Sequence, residues 1–148
     1  SGITAYAITK FRAEKEILKL NSNTFLTISL RPATVFGPSP NFRSDIVYNN
    51  LLLNGFLNKK IILKSSGNVW RPIIFIEDMC KVILFFTLCK KRSLFGTSYN
   101  LGMKKGNIKI IEMAKVAKNL IKNCKIIIEN SEPDARDYKI SFEKLYII

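Results

Sequence analysis

Over residues 5–20, apolar side chains recur at Ala7, Phe11, Ile17 and Leu18 among charges. That spacing predicts an amphipathic helix, entered through Thr4 as N-cap and ended by Asn21-Ser-Asn23. Residues 24–30 are rich in β-branched and aromatic side chains and read as a strand inside a parallel sheet. The stretch 34–40, with one glycine and two prolines, reads as a loop. Ser44-Asp45 caps a second helix running to about Gly55. Residues 60–64 form a short strand, 65–68 a turn, and 70–76 a second extended segment. Glu77 and Asp78 open an apolar helix to about Lys91, with both acids at its electropositive end. Residues 97–101 are a strand stopped by Gly102, 108–122 are helical in period, and 125–129 are a further strand. Residues 130–138 are polar, and 142–148 suit the start of either a helix or a strand. Helices alternating with strands indicate an α/β fold. No internal repeat or low-complexity segment interrupts the order.

Composition narrows the chemistry. The chain has 148 residues, 47% hydrophobic, which suffices for one domain with a real core. Its longest apolar run, residues 82–89, is far shorter than the ~20 residues of a membrane span, so no membrane partner is expected. The opening Ser1-Gly-Ile-Thr-Ala-Tyr6 lacks the basic-then-apolar design of a signal peptide. Cys80, Cys89 and Cys124 are widely spaced and read as reduced thiols, hence a cytoplasmic setting. There are no histidines, which removes Ser-His-Asp and Cys-His catalysis and the usual zinc sites; no metal is expected. Acid–base work then falls to Tyr, Lys, Asp, Glu or Cys. The net charge of +13 raises the possibility of nucleic-acid binding. The lysines are spread along the whole chain rather than clustered, so nucleic acid is not the expected partner.

Tyr6-Ala-Ile-Thr-Lys10 places a phenol and an ammonium at i and i+4 of the first helix, on one face. A neighbouring cation favours a phenolate, which suits acid–base chemistry at a hydroxyl. Alone, this spacing is common on exposed helices. It is followed in order by Ala13-Glu-Lys-Glu16, Leu30-Arg-Pro-Ala-Thr-Val-Phe-Gly-Pro38, Asn49-Asn-Leu51, Gly67-Asn-Val-Trp-Arg-Pro-Ile-Ile-Phe-Ile-Glu-Asp78 and Tyr99-Asn-Leu-Gly102. Taken together, the series resembles the C-terminal half of the extended short-chain dehydrogenase/reductase family, in its NAD-dependent epimerase/dehydratase branch.

The resemblance implies an α/β fold comprising the end of a Rossmann-like NAD(P)-binding part, about residues 1–38, and a small substrate-binding part, about 39–148. It implies NAD as cofactor and a nucleotide sugar as substrate. Tyr6 would be the acid–base at a sugar hydroxyl, and Lys10 would hold the nicotinamide ribose and favour the Tyr6 phenolate. Pro32, Ala33 and Val35 would lie at the nicotinamide end of the cofactor, with Thr34 near the sugar. Asn50 and Leu51 match the segment that contacts the diphosphate, and Arg71 matches an arginine that pairs with it, a role suited to a planar charged fork. Asp78 matches an acidic residue read as structural, and Phe36 and Trp70 read as packing residues.

Two departures from the family pattern stand out. Where relatives carry an arginine followed by Pro-Gly-Asp, this chain has Asn130-Ser-Glu-Pro-Asp-Ala-Arg136, so Ser131 takes the arginine's place and Arg136 is the available substitute. The family's first strands, its Gly-rich phosphate loop and its catalytic Ser or Thr precede the tyrosine, and Gly102-Met-Lys-Lys-Gly106 lacks the glycine pattern of a dinucleotide fingerprint. The chain alone is therefore expected not to hold NAD, to expose the edge of its first strand, and to need an N-terminal half or a homo-oligomer. An inactive remnant or a sugar-nucleotide-binding module is the alternative reading.

Overall fold

A computed structural model describes residues 4–129 and 137–148. Helix α1 (Ala5–Lys19) starts where expected: the Thr4 hydroxyl accepts from the Ala7 N–H at 3.2 Å. Its apolar stripe is not covered, for α1 has no buried residue and Phe11 and Ile17 are half exposed.

Strand β1 (Ile28–Pro32) begins later than the β-rich run 24–30 suggests. The cause is a turn built by small polar side chains. Ser22 Oγ accepts from the Phe25 N–H at 3.1 Å, and Asn21 Oδ1 accepts from the Thr27 N–H at 2.9 Å, which holds residues 22–26 out of the sheet. Strand β2 (Thr34–Phe36) replaces the first part of the expected loop. Its Thr-Val-Phe sequence favours a strand, and the prolines restrict only the residues beyond Gly37. That glycine has φ +128°, and a Cβ there would stand 2.7 Å from the Phe75 and Ile76 side chains, so β2 ends at a residue only glycine can supply.

Helix α2 (Val47–Asn58) starts at Ile46 without a side-chain cap, because Asp45 pairs with Arg43 rather than with the helix. Strand β3 (Lys60–Leu63) comes next, through Lys59 in the left-handed region at φ 54°. Strand β4 (Trp70–Phe75) runs straight into α3 (Ile76–Leu88), whose first turn carries Glu77 and Asp78 as anticipated. Strand β5 (Thr97–Leu101) matches its expected span. The expected helical start at 108 is instead strand β6 (Asn107–Lys109), and α4 (Ile110–Leu120) begins with Glu112 accepting from the Lys109 N–H at 3.1 Å. Strand β7 (Lys125–Ile128) and a short α5 (Glu143–Tyr146) complete the described elements.

The strands form three small sheets. Strand β1 pairs in parallel with β5, Ile28 opposite Thr97 through Pro32 opposite Leu101. Strand β4 lies between β2, parallel with Thr34 opposite Ile73, and β6, antiparallel with Arg71 opposite Ile108. Strand β3 pairs in parallel with β7. Parallel pairing through helical crossovers gives the α/β class read from the sequence. One core packs Leu51, Ile61, Ile73, Met113 and Cys124 between α2, β3, β4 and α4. A second joins Ala33, Ile74, Leu101 and Phe142, and a third Phe86, Leu94 and Tyr99. Among the described residues no helix is long and apolar enough to cross a membrane.

Candidate active site

Helical geometry puts Tyr6 and Lys10 one turn apart, and the side chains meet: Lys10 Nζ lies 5.7 Å from the Tyr6 ring centroid. The phenol is 72% exposed, so it does not fill a core. The next position on the same stripe is Glu14. Its carboxylate accepts from Ser29 Oγ at 2.7 Å and from Arg31 Nε at 2.7 Å, and takes a second bond from the Arg31 fork through Nη2. The Arg31 hydrogen bonds pull the Glu14 carboxyl down to about 2; burial works against them and the Ser29 hydroxyl adds to them. This arrangement fastens α1 to β1.

Strand β1 delivers the next candidates. Pro32 ends it, exposed at the surface. Ala33 turns inward, its N–H donating to the Leu101 carbonyl at 2.7 Å and its methyl buried against Ile74 and Leu101. Thr34 and Val35 open β2, half-buried. Beside them is a hollow of about 140 Å³ lined by Val35, Phe36, Gly37, Ser39, Arg43 and Asn49 among others. Parallel pairing sets Thr34 opposite Ile73, so Arg71 lies on the neighbouring strand two residues back, roughly 7 Å along it.

Arg71 is buried. Its Nη1 donates to the Trp70 carbonyl at 2.7 Å, and its guanidinium lies 5.7 Å from the Tyr138 ring centroid. Trp70 gathers more cations, with Lys139 Nζ at 3.8 Å and Lys109 Nζ at 5.5 Å from its ring centroid. The Trp70 backbone N–H donates to Asp137 Oδ1 at 2.8 Å. This basic cluster suits a polyanion.

The two α2 candidates part company. Asn50 is exposed; its Nδ2 donates to the Ser44 carbonyl at 3.0 Å and its Oδ1 accepts from Asn54. Leu51 points into the main core. The residue between Asn50 and the β2 hollow is Asn49, which the motif reading passed over. It is 5% exposed, its Oδ1 accepts from the Gly37 N–H at 3.4 Å, and its Nδ2 donates to the Arg43 carbonyl at 3.1 Å. The adjacent asparagines gave no means of telling which of them turns inward; the bonds to Gly37 and Arg43 decide it. Glu14 and Arg31 stand inside two of the quoted motifs, but no role was drawn for them or for Ser29; the alternation of Ser29 and Arg31 on one strand face was a further trace. Arg136 and Ser131 lie outside the described residues.

The exposed phenol and ammonium of α1 stand on the helix fastened to β1, the strand that leads into residues 32–35. The Gly102–Gly106 turn is filled from within the chain. A Cβ on Gly102 would meet the Phe142 ring at 2.2 Å, and one on Gly106 would meet the Ile73 carbonyl at 2.7 Å. That turn offers no cradle for phosphate.

Comparison with known proteins places the fold and the family. Solved structures share the fold across nearly the whole chain. The dTDP-glucose 4,6-dehydratase of Bacillus anthracis, solved with NAD, is 21% identical with a TM-score of 0.73, over 99% of this chain and 46% of its own. The UDP-glucuronic acid 4-epimerase of Bacillus cereus, solved with UDP-glucuronic acid and NAD, is 20% identical with a TM-score of 0.78, again over 99% and 46%. The ADP-L-glycero-D-manno-heptose-6-epimerase of Helicobacter pylori is 20% identical with a TM-score of 0.71, over 87% and 40%. The chain thus spans about half the length of the structures it resembles, and its fold is part of theirs. Residues 2–102, which hold the Tyr6–Lys10 pair, the 30–38 motif and Arg71, match the NAD-dependent epimerase/dehydratase family, and the chain belongs to it.

Proposed function

We propose that this chain is the substrate-facing part of an NAD-dependent nucleotide-sugar epimerase or dehydratase. The observation that carries the reading is the exposed Tyr6 phenol beside the Lys10 ammonium, on a helix fastened to the strand that leads into residues 32–35. In this reading Tyr6 takes a proton from, or returns it to, a sugar hydroxyl. Lys10 hydrogen-bonds the nicotinamide ribose and stabilises the charge that Tyr6 bears between transfers. When bound, NAD accepts and returns hydride. Pro32, Ala33 and Val35 border its nicotinamide end and Thr34 the sugar, Asn50 and the backbone around Leu51 lie toward the diphosphate, and Arg71 and Arg136 supply charge to it. The end of the Rossmann part is then about residues 1–38 and the substrate-binding part about 39–148, and a further polypeptide half, or a second copy, completes the cofactor site. Three unpaired cysteines fit a reducing, cytoplasmic setting.

The test supplies a separately made N-terminal half of a related enzyme and measures NAD-dependent turnover of UDP- and dTDP-sugars. Turnover that appears on mixing, and falls by about 10²-fold or more in Tyr6→Phe, is the expected result. Failure with every half tried rejects the reading. The cations around Trp70 favour one second reading, a nucleotide-sugar-binding module without turnover. Calorimetry with the same sugars separates the two, since binding without turnover selects the module and no heat at millimolar ligand rejects it. Nothing in the arrangement of the lysines favours a nucleic acid.

A further inference from the structure

The structure assigns Glu14 the role of positioning residue: it fixes where the Tyr6–Lys10 pair stands relative to residues 32–35. The inference rests on the catalytic reading of that pair and adds a residue that makes no contact with substrate or cofactor in that reading.

Among the described residues little else holds α1. The helix has no fully buried residue, only Ala7, Glu14 and Leu18 partly covered, so packing orients it weakly. Its C-terminal end is anchored by Asn21, whose Oδ1 accepts from the Thr27 N–H at 2.9 Å and whose side chain sits against Gly96, within 2.8 Å of where a Cβ would be. Its middle is anchored by Glu14 alone among the described side-chain bonds to β1, through Ser29 and both prongs of Arg31. Two points define an axis. Remove Glu14 and the helix swings about the Asn21 turn. Tyr6 lies roughly 22 Å of helix from that pivot, so a tilt of about 5° moves it by about 2 Å.

Such a displacement matters because Ser29 and Arg31 share the strand face that leads directly into Pro32, Ala33, Thr34 and Val35. The latch therefore ties the proton-transfer pair to the segment bordering the cofactor in one rigid link. A misplacement of about 1 Å costs on the order of 10²-fold in rate. The bidentate fork suits this task, since it fixes direction as well as distance.

Two measurements test the assignment. In the chain itself, with Cys80 and Cys89 changed to serine and the buried Cys124 retained, spin labels are attached at Ile8→Cys and Ser39→Cys. Electron paramagnetic resonance then reads the distance distribution between α1 and the end of the β2 segment. A single narrow distribution is expected for the parent, and a clearly broadened one for Glu14→Gln in protein shown by circular dichroism to be folded. Arg31→Lys, which keeps the charge and loses the fork, serves as second variant and broadens it to an intermediate degree. A distribution as narrow in Glu14→Gln and Arg31→Lys as in the parent overturns the assignment. In the reconstituted enzyme, Glu14→Gln lowers kcat by about tenfold or more while KM for the nucleotide sugar holds; an unchanged kcat in an active preparation also overturns it. If the parent shows no turnover with any half, the catalytic reading fails on its own and the distance arm still decides whether Glu14 sets the helix.

Discussion

Glu14 is held ionised by the Arg31 fork and the Ser29 hydroxyl, so its carboxyl sits at about 2 against an ordinary 4.5. A depressed folded-state value means stability that is fully present above the unfolded value and is lost as the pH falls through the folded one. The window is therefore from about 5 down to about 2. Arg31 is half exposed and water screens the pair, so the effect is about 1 kcal/mol rather than the several that an unscreened shift implies. Urea midpoints measured across this range are expected to fall for the parent and to lose that slope in Glu14→Gln. The Arg43–Asp45 pair, also bidentate, is solvent-exposed and serves to take Asp45 away from the α2 terminus rather than to stabilise the chain. Single residues of this kind are poorly legible in a sequence. Glu14, Ser29 and Arg31 meet only after α1 and β1 have docked, and nothing in their spacing announces the bond. Tyr6 and Lys10 were legible because a helix alone brings i and i+4 together.

At the scale of elements, periodicity and side-chain branching located α1, β3, β5 and β7 to within a residue or two, and the start of α3, whose end at Leu88 falls short of the expected Lys91. The elements that escaped are those decided by tertiary contact or by turn chemistry. Strand β2 is three residues beside β4, hidden by the adjoining Gly37-Pro38. Strand β6 is likewise short and borrows its pairing from β4. Strand β1 lost its first residues to the Asn21 and Ser22 turn. The segment 142–148 was readable as helix or strand; together with Ile140 and Ser141 it is above all a strap. Asn107 exchanges hydrogen bonds with the Ile140 backbone at 2.8 and 2.9 Å, Asn100 donates to the Ser141 carbonyl, and Tyr146 donates to the Gly102 carbonyl. Phe142 is pressed onto Gly102 beneath it. Phe142→Ala is expected to cost about 3–5 kcal/mol. Gly102→Ala, which drives a Cβ into the same ring, should lift the strap as well. Thermal melts of each variant and of the double variant check this, since two changes that undo one contact cost less together than the sum of their separate effects.

At the scale of the whole molecule, the described residues leave several apolar regions open, of which two bear most on association. One is the free edge of β1 with the α1 stripe and Phe25; the other is the α3 face that bears Leu84, Phe85 and Leu88. Surfaces of this kind are sites of association. The chain is expected to self-associate as its concentration rises. Leu88→Lys and Phe11→Lys are each expected to weaken that association while costing the fold no more than about 1 kcal/mol. Sedimentation velocity over a concentration series reads the first effect and urea titration the second. If a matching N-terminal half adds to β1, the Phe11 variant should weaken that complex while the Leu88 variant should not.

The Phe142 ring over Gly102 also bears on the order in which the molecule is made. Ala33, Ile74 and Leu101 leave the ribosome long before Phe142, yet the four share one core. The β3–β7 core needs nothing beyond Cys124 for its buried members and can close while synthesis continues. The β1–β5 layer waits with an open floor until the strap arrives. A nascent chain paused between the two would present a finished module beside an unfinished one, and it is the unfinished one that carries Tyr6 and Lys10.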